Sequence, residues 1–168
     1  MSGSQIGFLL TQTYTSLSPS GAGLQAHKLG QIYEDGIGNK YKFVKNTHSS
    51  AFAISDVVSY DYSGATTTSV FDGATAALPY MAGVAMGAIP ASGFGWIQIA
   101  GVGSALVDGT TDVAIGDSLK AVNGEVHAVK DQAAGTAPSF GNYMVALAEQ
   151  TSATDTIIAV HICCGLGA

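Results

Sequence analysis

Apolar and polar residues alternate in short runs along most of this chain, and no stretch holds a helical period long enough for an amphipathic helix. Weak alternation over Leu29–Tyr33 is followed by a turn signal at Glu34–Asn39. Aromatic and β-branched residues then resume at Tyr41–Lys45. Further strands are expected around Val57–Val58 within 51–60, at Met81–Ala88, at Phe94–Ala100 and at Ser104–Val107. The sharpest local signal is Asn123-Gly124 between Ser118–Val122 and Glu125–Val129. Asn-Gly accepts positive φ at both central positions of a type I′ turn, so a two-residue hairpin is expected there. Asn142–Gln150 and Thr156–Cys164 read as closing strands. The second, with Ile157, Ile158, Val160 and Ile162, is expected to be buried on both faces. Residues 61–77, rich in Thr, Ser, Gly and Ala without a period, read as a loop. A short helix would fit only within 71–86 or 140–150.

Strand-like runs recurring about every 8–12 residues with glycine-based turns predict an all-β, mainly antiparallel fold, a β-barrel or sandwich. Residues 1–26 are Ser, Thr, Gly and Gln-rich with one apolar patch, Ile6-Gly7-Phe8-Leu9-Leu10. They read as an extended N-terminal arm that lies on a neighbouring subunit. Residues 27–168 form the β-rich domain, with room for two subregions at 27–80 and 81–168.

Composition sharpens the functional side. Charged residues make up 11% of the chain against about 25% in ordinary domains, so small polar residues cover the surface. Such a surface sheds water cheaply and suits permanent contact with other chains. The net charge is −6, and the six basic residues are all lysines: Lys28, Lys40, Lys42, Lys45, Lys120 and Lys130. That argues against nucleic acid and against a phosphate clamp. Lys40, Lys42 and Lys45 read as a solvated strand edge. The uncharged stretch 73–107 is broken by Pro79, Pro90 and glycines, so no membrane span is expected, and the start of the chain lacks the pattern of a signal peptide. Adjacent Cys163 and Cys164 point to opposite faces of a strand and read as free thiols.

No recognised catalytic or cofactor motif occurs, and the expectation is a protein that is not an enzyme, with no cofactor and no metal. His27, His48, His127 and His161 show no metal-ligand spacing, and His161 reads as a core histidine bonded to a backbone carbonyl. Glu34, Asp35, Asp56 and Asp61 come nearest to a carboxylate cluster. Asp35-Gly36 and Asp108-Gly109 are turn chemistry, and Asp117 is expected to bond local amides. Tyr33, Tyr41, Tyr60 and Tyr62 could form a sugar platform or pack along sheets. Trp96, the single tryptophan, is either core or an interface anchor.

The run Gly83-Val84-Ala85-Met86-Gly87-Ala88-Ile89-Pro90-Ala91-Ser92-Gly93-Phe94-Gly95-Trp96-Ile97-Gln98-Ile99-Ala100-Gly101, with the later Val113-Ala114-Ile115-Gly116-Asp117-Ser118-Leu119, resembles the small head structural proteins of tailed phages. These are the capsid decoration or cement class. The resemblance covers roughly residues 28–168 and rests on structural glycines and aromatics. It implies a virion protein, made in the host cytoplasm, that binds the outside of an assembled capsid and bridges major capsid protein subunits. It also implies self-association, with a homotrimer favoured and a dimer as the alternative. Ile6, Phe8, Leu9, Tyr14, Phe94 and Trp96 are the expected interface residues. The alternatives are a tail- or fibre-associated protein and a carbohydrate-binding β module.

Overall fold

The computed structural model describes residues 10–15, 27–61, 69–71, 80–122, 124–139 and 142–164. Among them there is no helix; the fold is all-β. The strands are β1 (Ile32–Glu34), β2 (Lys40–Asn46), β3 (Val57–Tyr60), β4 (Ser69–Phe71), β5 (Met81–Ala85), β6 (Phe94–Val107), β7 (Ser118–Ala121), β8 (Ala128–Gln132), β9 (Tyr143–Ala146) and β10 (Thr156–Cys163).

β6 organises the molecule. The sequence reads as two strands here, but one fourteen-residue strand runs through, with Gly101 inside it at φ 96°, a conformation glycine adopts freely. Ile97 and Gln98 pair with β2 on one side and β5 on the other. Ala100 pairs with Lys40 on one side and Cys163 on the other, and Val107 with Ala128 and Thr156. Pairing therefore closes two rings. The first runs β2, β4, β3, β5 and back through the front half of β6. The second runs from the back half of β6 through β10, β9, β7 and β8 to β6 again. In each ring one pairing is parallel, β2–β4 and β6–β8, and the rest are antiparallel. Closure leaves few edges to manage.

The two rings are the same unit written twice. The Phe52–Ile89 bridge recurs as Val113–Gln150, and the bonds Ser55 N to Ala85 O and Ala85 N to Asp56 O recur as Gly116 N to Ala146 O and Ala146 N to Asp117 O, each 61 residues on. Val57↔Val84 and Val58↔Gly83 become Ser118↔Val145 and Leu119↔Met144 at the same spacing. Beyond the final loop, two residues longer in the second unit, the spacing is 63. Phe43↔Trp96 and Lys45↔Phe94 then become Ser104↔Ala159 and Leu106↔Ile157. Little of the sequence marks this: Ala53-Ile54-x-Asp56 against Ala114-Ile115-x-Asp117, and Val84-Ala85 against Val145-Ala146.

One apolar core joins both rings, with Val44, Tyr60, Met81 and Ile97 from the first and Leu119, Met144, Val160 and Ile162 from the second. A second cluster lies outside the first ring. Tyr41, Phe43, Phe94 and Trp96 pack there under Leu10 and Tyr14. The chain segment 10–15 lies along this face as a strap, with Tyr14 N donating to Phe94 O (2.8 Å) and Phe94 N to Tyr14 O (2.7 Å). A β-carbon at Gly87 would stand 2.6 Å from the Thr11 carbonyl oxygen, so only glycine lets the strap in.

Several expectations change. This part of the arm covers its own domain. Residues 81–85 and 143–146 are strands, so the described parts of the two windows left for a helix hold none, while 72–79, 140 and 141 lie outside the described residues. β7 and β8 do form a hairpin, but Ala121 pairs with Ala128, two residues out of the register a two-residue turn imposes, so 122–127 is a longer loop. Asn123 lies outside the described residues. β2 is flanked by β1 and β6 and is no edge: Lys42 is buried, its ammonium 3.5 Å from the Tyr60 hydroxyl. β10 is buried on one face only, because among the described residues nothing covers its outer side.

Candidate assembly surface

That outer side is where the two units differ most. Residues 100, 102, 104 and 106 of β6, 157, 159, 161 and 163 of β10, and 143, 145 and 147 on and beside β9 point away from the core, since their neighbours Ala105, Val107, Ile158, Val160, Ile162, Met144 and Ala146 are buried in it. None is Lys, Arg, Asp or Glu. Val102 is 58% exposed, Ile157 51% and Leu147 42%. The equivalent positions in the first unit are Tyr41, Phe43, Phe94 and Trp96, the cluster under the strap. The first unit thus covers its outer face with its own chain, and among the described residues nothing covers that of the second. Soluble surfaces rarely leave a connected apolar sheet face uncovered unless something binds it.

The backbone beside this face is open too. Leu106 N donates to Ser55 O (2.9 Å), turned away from β10, so Leu106↔Ile157 is a pair that exchanges no hydrogen bonds. The Ile157 N–H and carbonyl therefore face the other edge, where Phe94 in the first unit meets Tyr14. Alongside, Leu147 N donates to Ala159 O (2.9 Å), as Met86 N does to Trp96 O (3.0 Å), so the match between units extends to the edge.

The expected interface residues separate. Trp96 and Phe94 lie in the chain's own interior, 0% and 9% exposed, with Trp96 against His27 (5.1 Å between ring centroids) and Phe43 (5.2 Å). Tyr14 packs edge-on to Phe43 at 5.9 Å. Of the two readings of Trp96, the structure gives the core one. Ile6, Phe8 and Leu9 lie outside the described residues. The residues that form the bare face were missed, although Val102-x-Ser104-x-Leu106 alternates and the repeated Val-Ala pair marks the duplication. Two exposed isoleucines also repeat, Ile54 (56%) and Ile115 (60%), on matching turns.

The carboxylates serve turns. Asp35 accepts from Ile37 N (3.0 Å), Asn39 N (2.9 Å) and Tyr41 OH (3.2 Å). Asp117 accepts from Ala114 N (2.8 Å) and Ala134 N (2.9 Å) and meets Lys130 Nζ at 2.6 Å. Burial alone would push the Asp117 carboxyl up, but Lys130 and the two amides together hold it below the usual range. Asp56 accepts from Ala53 N (2.7 Å) at the matching position, and there burial prevails and raises it. Tyr33 and Tyr41 stack at 6.2 Å while Tyr60 is buried; Tyr62 lies outside the described residues.

His127, expected to stand apart, is brought to Asp108 and Asp155, with one ligand atom from each within 4.8 Å of the others. Such a set can accept a divalent cation. The His127 Nδ1–Asp155 Oδ2 contact (2.7 Å), the bond from Gly109 N to Asp155 (3.1 Å) and the Thr110–Asp108 bond already account for the arrangement. His161, expected in the core, is exposed on the bare face with Cys163 Sγ 3.2 Å from its Nδ1. Cys163 and Cys164 are free, and burial raises both thiols, which leaves them poor nucleophiles.

No family model and no curated protein matches the chain. Among solved structures it is similar to the N base of the head fibre protein gp8.5 of bacteriophage phi29, at 13% identity and a TM-score of 0.43, over 73% of this chain and 92% of that one. A likeness at that level does not speak to what this chain does.

Proposed function

We propose that this chain is a non-enzymatic virion structural protein that binds the outside of an assembled phage capsid and bridges its major capsid protein subunits. The observation that carries the reading is the bare face of β6, β10 and β9, an outward sheet surface that holds no Lys, Arg, Asp or Glu over three strands and exposes Val102, Leu147 and Ile157. A chain with 11% charged residues can bury such surface without stranding ions. The resemblance of 83–101 and 113–119 to capsid decoration proteins points the same way. Binding only the assembled shell stabilises that state by mass action, and many equivalent sites let a modest energy per copy resist rupture.

Particles assembled with and without the protein should differ in survival of heat and osmotic shock; equal survival removes the cementing role. Val102→Lys combined with Ile157→Lys should lower occupancy on the particle by at least about tenfold, because burying an unpaired ammonium costs more than 1.4 kcal/mol. Thermal unfolding should be nearly unchanged, both side chains being more than half exposed. Full occupancy by this variant would mean that the face is not used.

A further inference from the structure

The duplication says what kind of partner the bare face takes. In the first unit the matching face is covered by an extended, uncharged segment, residues 10–15, which bonds through Tyr14 to the backbone of Phe94. In the second unit Ile157 stands where Phe94 stands, with its N–H and carbonyl turned to an open edge and, among the described residues, no hydrogen bond to either. An exposed edge beside an apolar face is the geometry that accepts an added strand.

Resting on the assembly reading above, we propose that this edge receives residues 5–9 of a second copy of the chain, laid down as an extra strand beside Ile157, so that the sheet thus extended is what meets the capsid. These residues directly precede the strap, so a copy can keep 10–15 on its own first unit and send the preceding segment to its neighbour. Residues 5–9 run into the strap without a linker, so the Ile157 edge of the neighbouring copy must lie directly beside Leu10, one peptide step away. Ile6, Phe8 and Leu10 fall at alternate positions, as a strand with one apolar face requires. Residues 1–26 contain no Lys, Arg, Asp or Glu, matching a face that has none, so the contact escapes the repulsion between copies of net charge −6. Among the described residues of a single chain nothing covers the face, with Val102 and Ile157 more than half exposed, which directs the segment to another copy. Ala148 stands where the first unit has Gly87, so the incoming segment cannot approach that end as closely as Thr11 does and engages the Ile157 end instead. The contact is head-to-tail, and such contacts close into rings, of which a trimer is one, when the rotation between copies returns to its start.

The test uses the purified chain without particles. Sedimentation should give a closed oligomer for the full chain and a monomer both for a deletion of residues 2–9 and for Ile157→Lys, with circular dichroism unchanged in each. Val102→Lys serves as a second variant should Ile157→Lys misfold. A synthetic peptide of residues 4–9, added to the deletion variant, should shift the amide resonances of Val102, Leu106 and Ile157, and should shift none in a deletion variant carrying Ile157→Lys. A monomeric full chain overturns the proposal. So does a deletion variant that still associates through Ile157, which would place a second copy's face there, or a peptide that shifts only β2 and β5. If the deletion variant occupies particles as the full chain does while the double lysine variant does not, the assembly role stands and the strand exchange falls.

Discussion

Equivalent residues of the two units carry opposite energies, and these differences can be measured. Ser55 and Gly116 occupy the same turn at φ 72° and 90°. A side chain in this left-handed region costs about 1–2 kcal/mol, partly offset because glycine loosens the unfolded chain. Ser55→Gly should therefore stabilise the protein by about 0.5 kcal/mol. Gly116→Ser should destabilise it by roughly 1–2 kcal/mol, its new β-carbon also meeting that of Ala134 at 3.1 Å. Denaturant titration reads both. Asp117→Asn should cost about 2 kcal/mol at neutral pH by leaving the Lys130 ammonium, 29% exposed, without its carboxylate. Because the folded state holds Asp117 below its unfolded range, its contribution is complete above the unfolded value and fades as pH falls through the folded one. Asp56 is raised instead, so its charge opposes folding once pH exceeds the unfolded value. Asp56→Asn should leave stability unchanged or improve it by up to about 1 kcal/mol at neutral pH. Equal losses for the two variants would refute this contrast. The turn roles of Asp35 and Asp117 were legible because an acid before glycine or at a strand start bonds nearby amides. The meeting of Asp108, His127 and Asp155 was not, since ring closure, which no local pattern records, brings them together.

At the level of elements, the strands were legible and their partners much less so. Runs of aromatic and β-branched residues between turn signals located β2, β6 and β10, because at least one face of each meets the core. It failed where a second cover or its absence changed the outcome. β2 carries three lysines yet is buried on most positions, under the strap on one face and within its ring on the other. β10 reads as doubly buried yet shows one face to solvent. The hairpin after β7 slipped because Asn-Gly specifies a turn only where the flanking pairs agree, and the parallel contact of β8 with Val107 sets that strand's register instead. The strap offers a clean test. Gly87→Val puts side-chain atoms where the Thr11 carbonyl lies and should lift segment 10–15 from the sheet. The fluorescence of Trp96, the single tryptophan, should then shift to the red while far-ultraviolet circular dichroism keeps its β signature. Unshifted emission would mean that the strap does not seal the aromatic cluster.

For the molecule as a whole, the all-β class followed from turn spacing and glycine content, whereas the duplication lay almost hidden, since a shared pairing scheme survives when only a few buried or turn positions agree. The boundary expected near residues 80–81 does not correspond to the repeat, whose units meet inside β6. Because β6 belongs to both rings and one core spans them, unfolding should be a single transition with calorimetric and van't Hoff enthalpies equal; two separable transitions would show units that stand alone. The shared strand also bears on mechanics. Traction applied along β6 loads its bonds to β2, β5, β8 and β10 side by side in shear, so they must yield together, whereas tension across an edge would unzip them singly. A shell held by this molecule would be stiffest when its subunits pull parallel to that one strand.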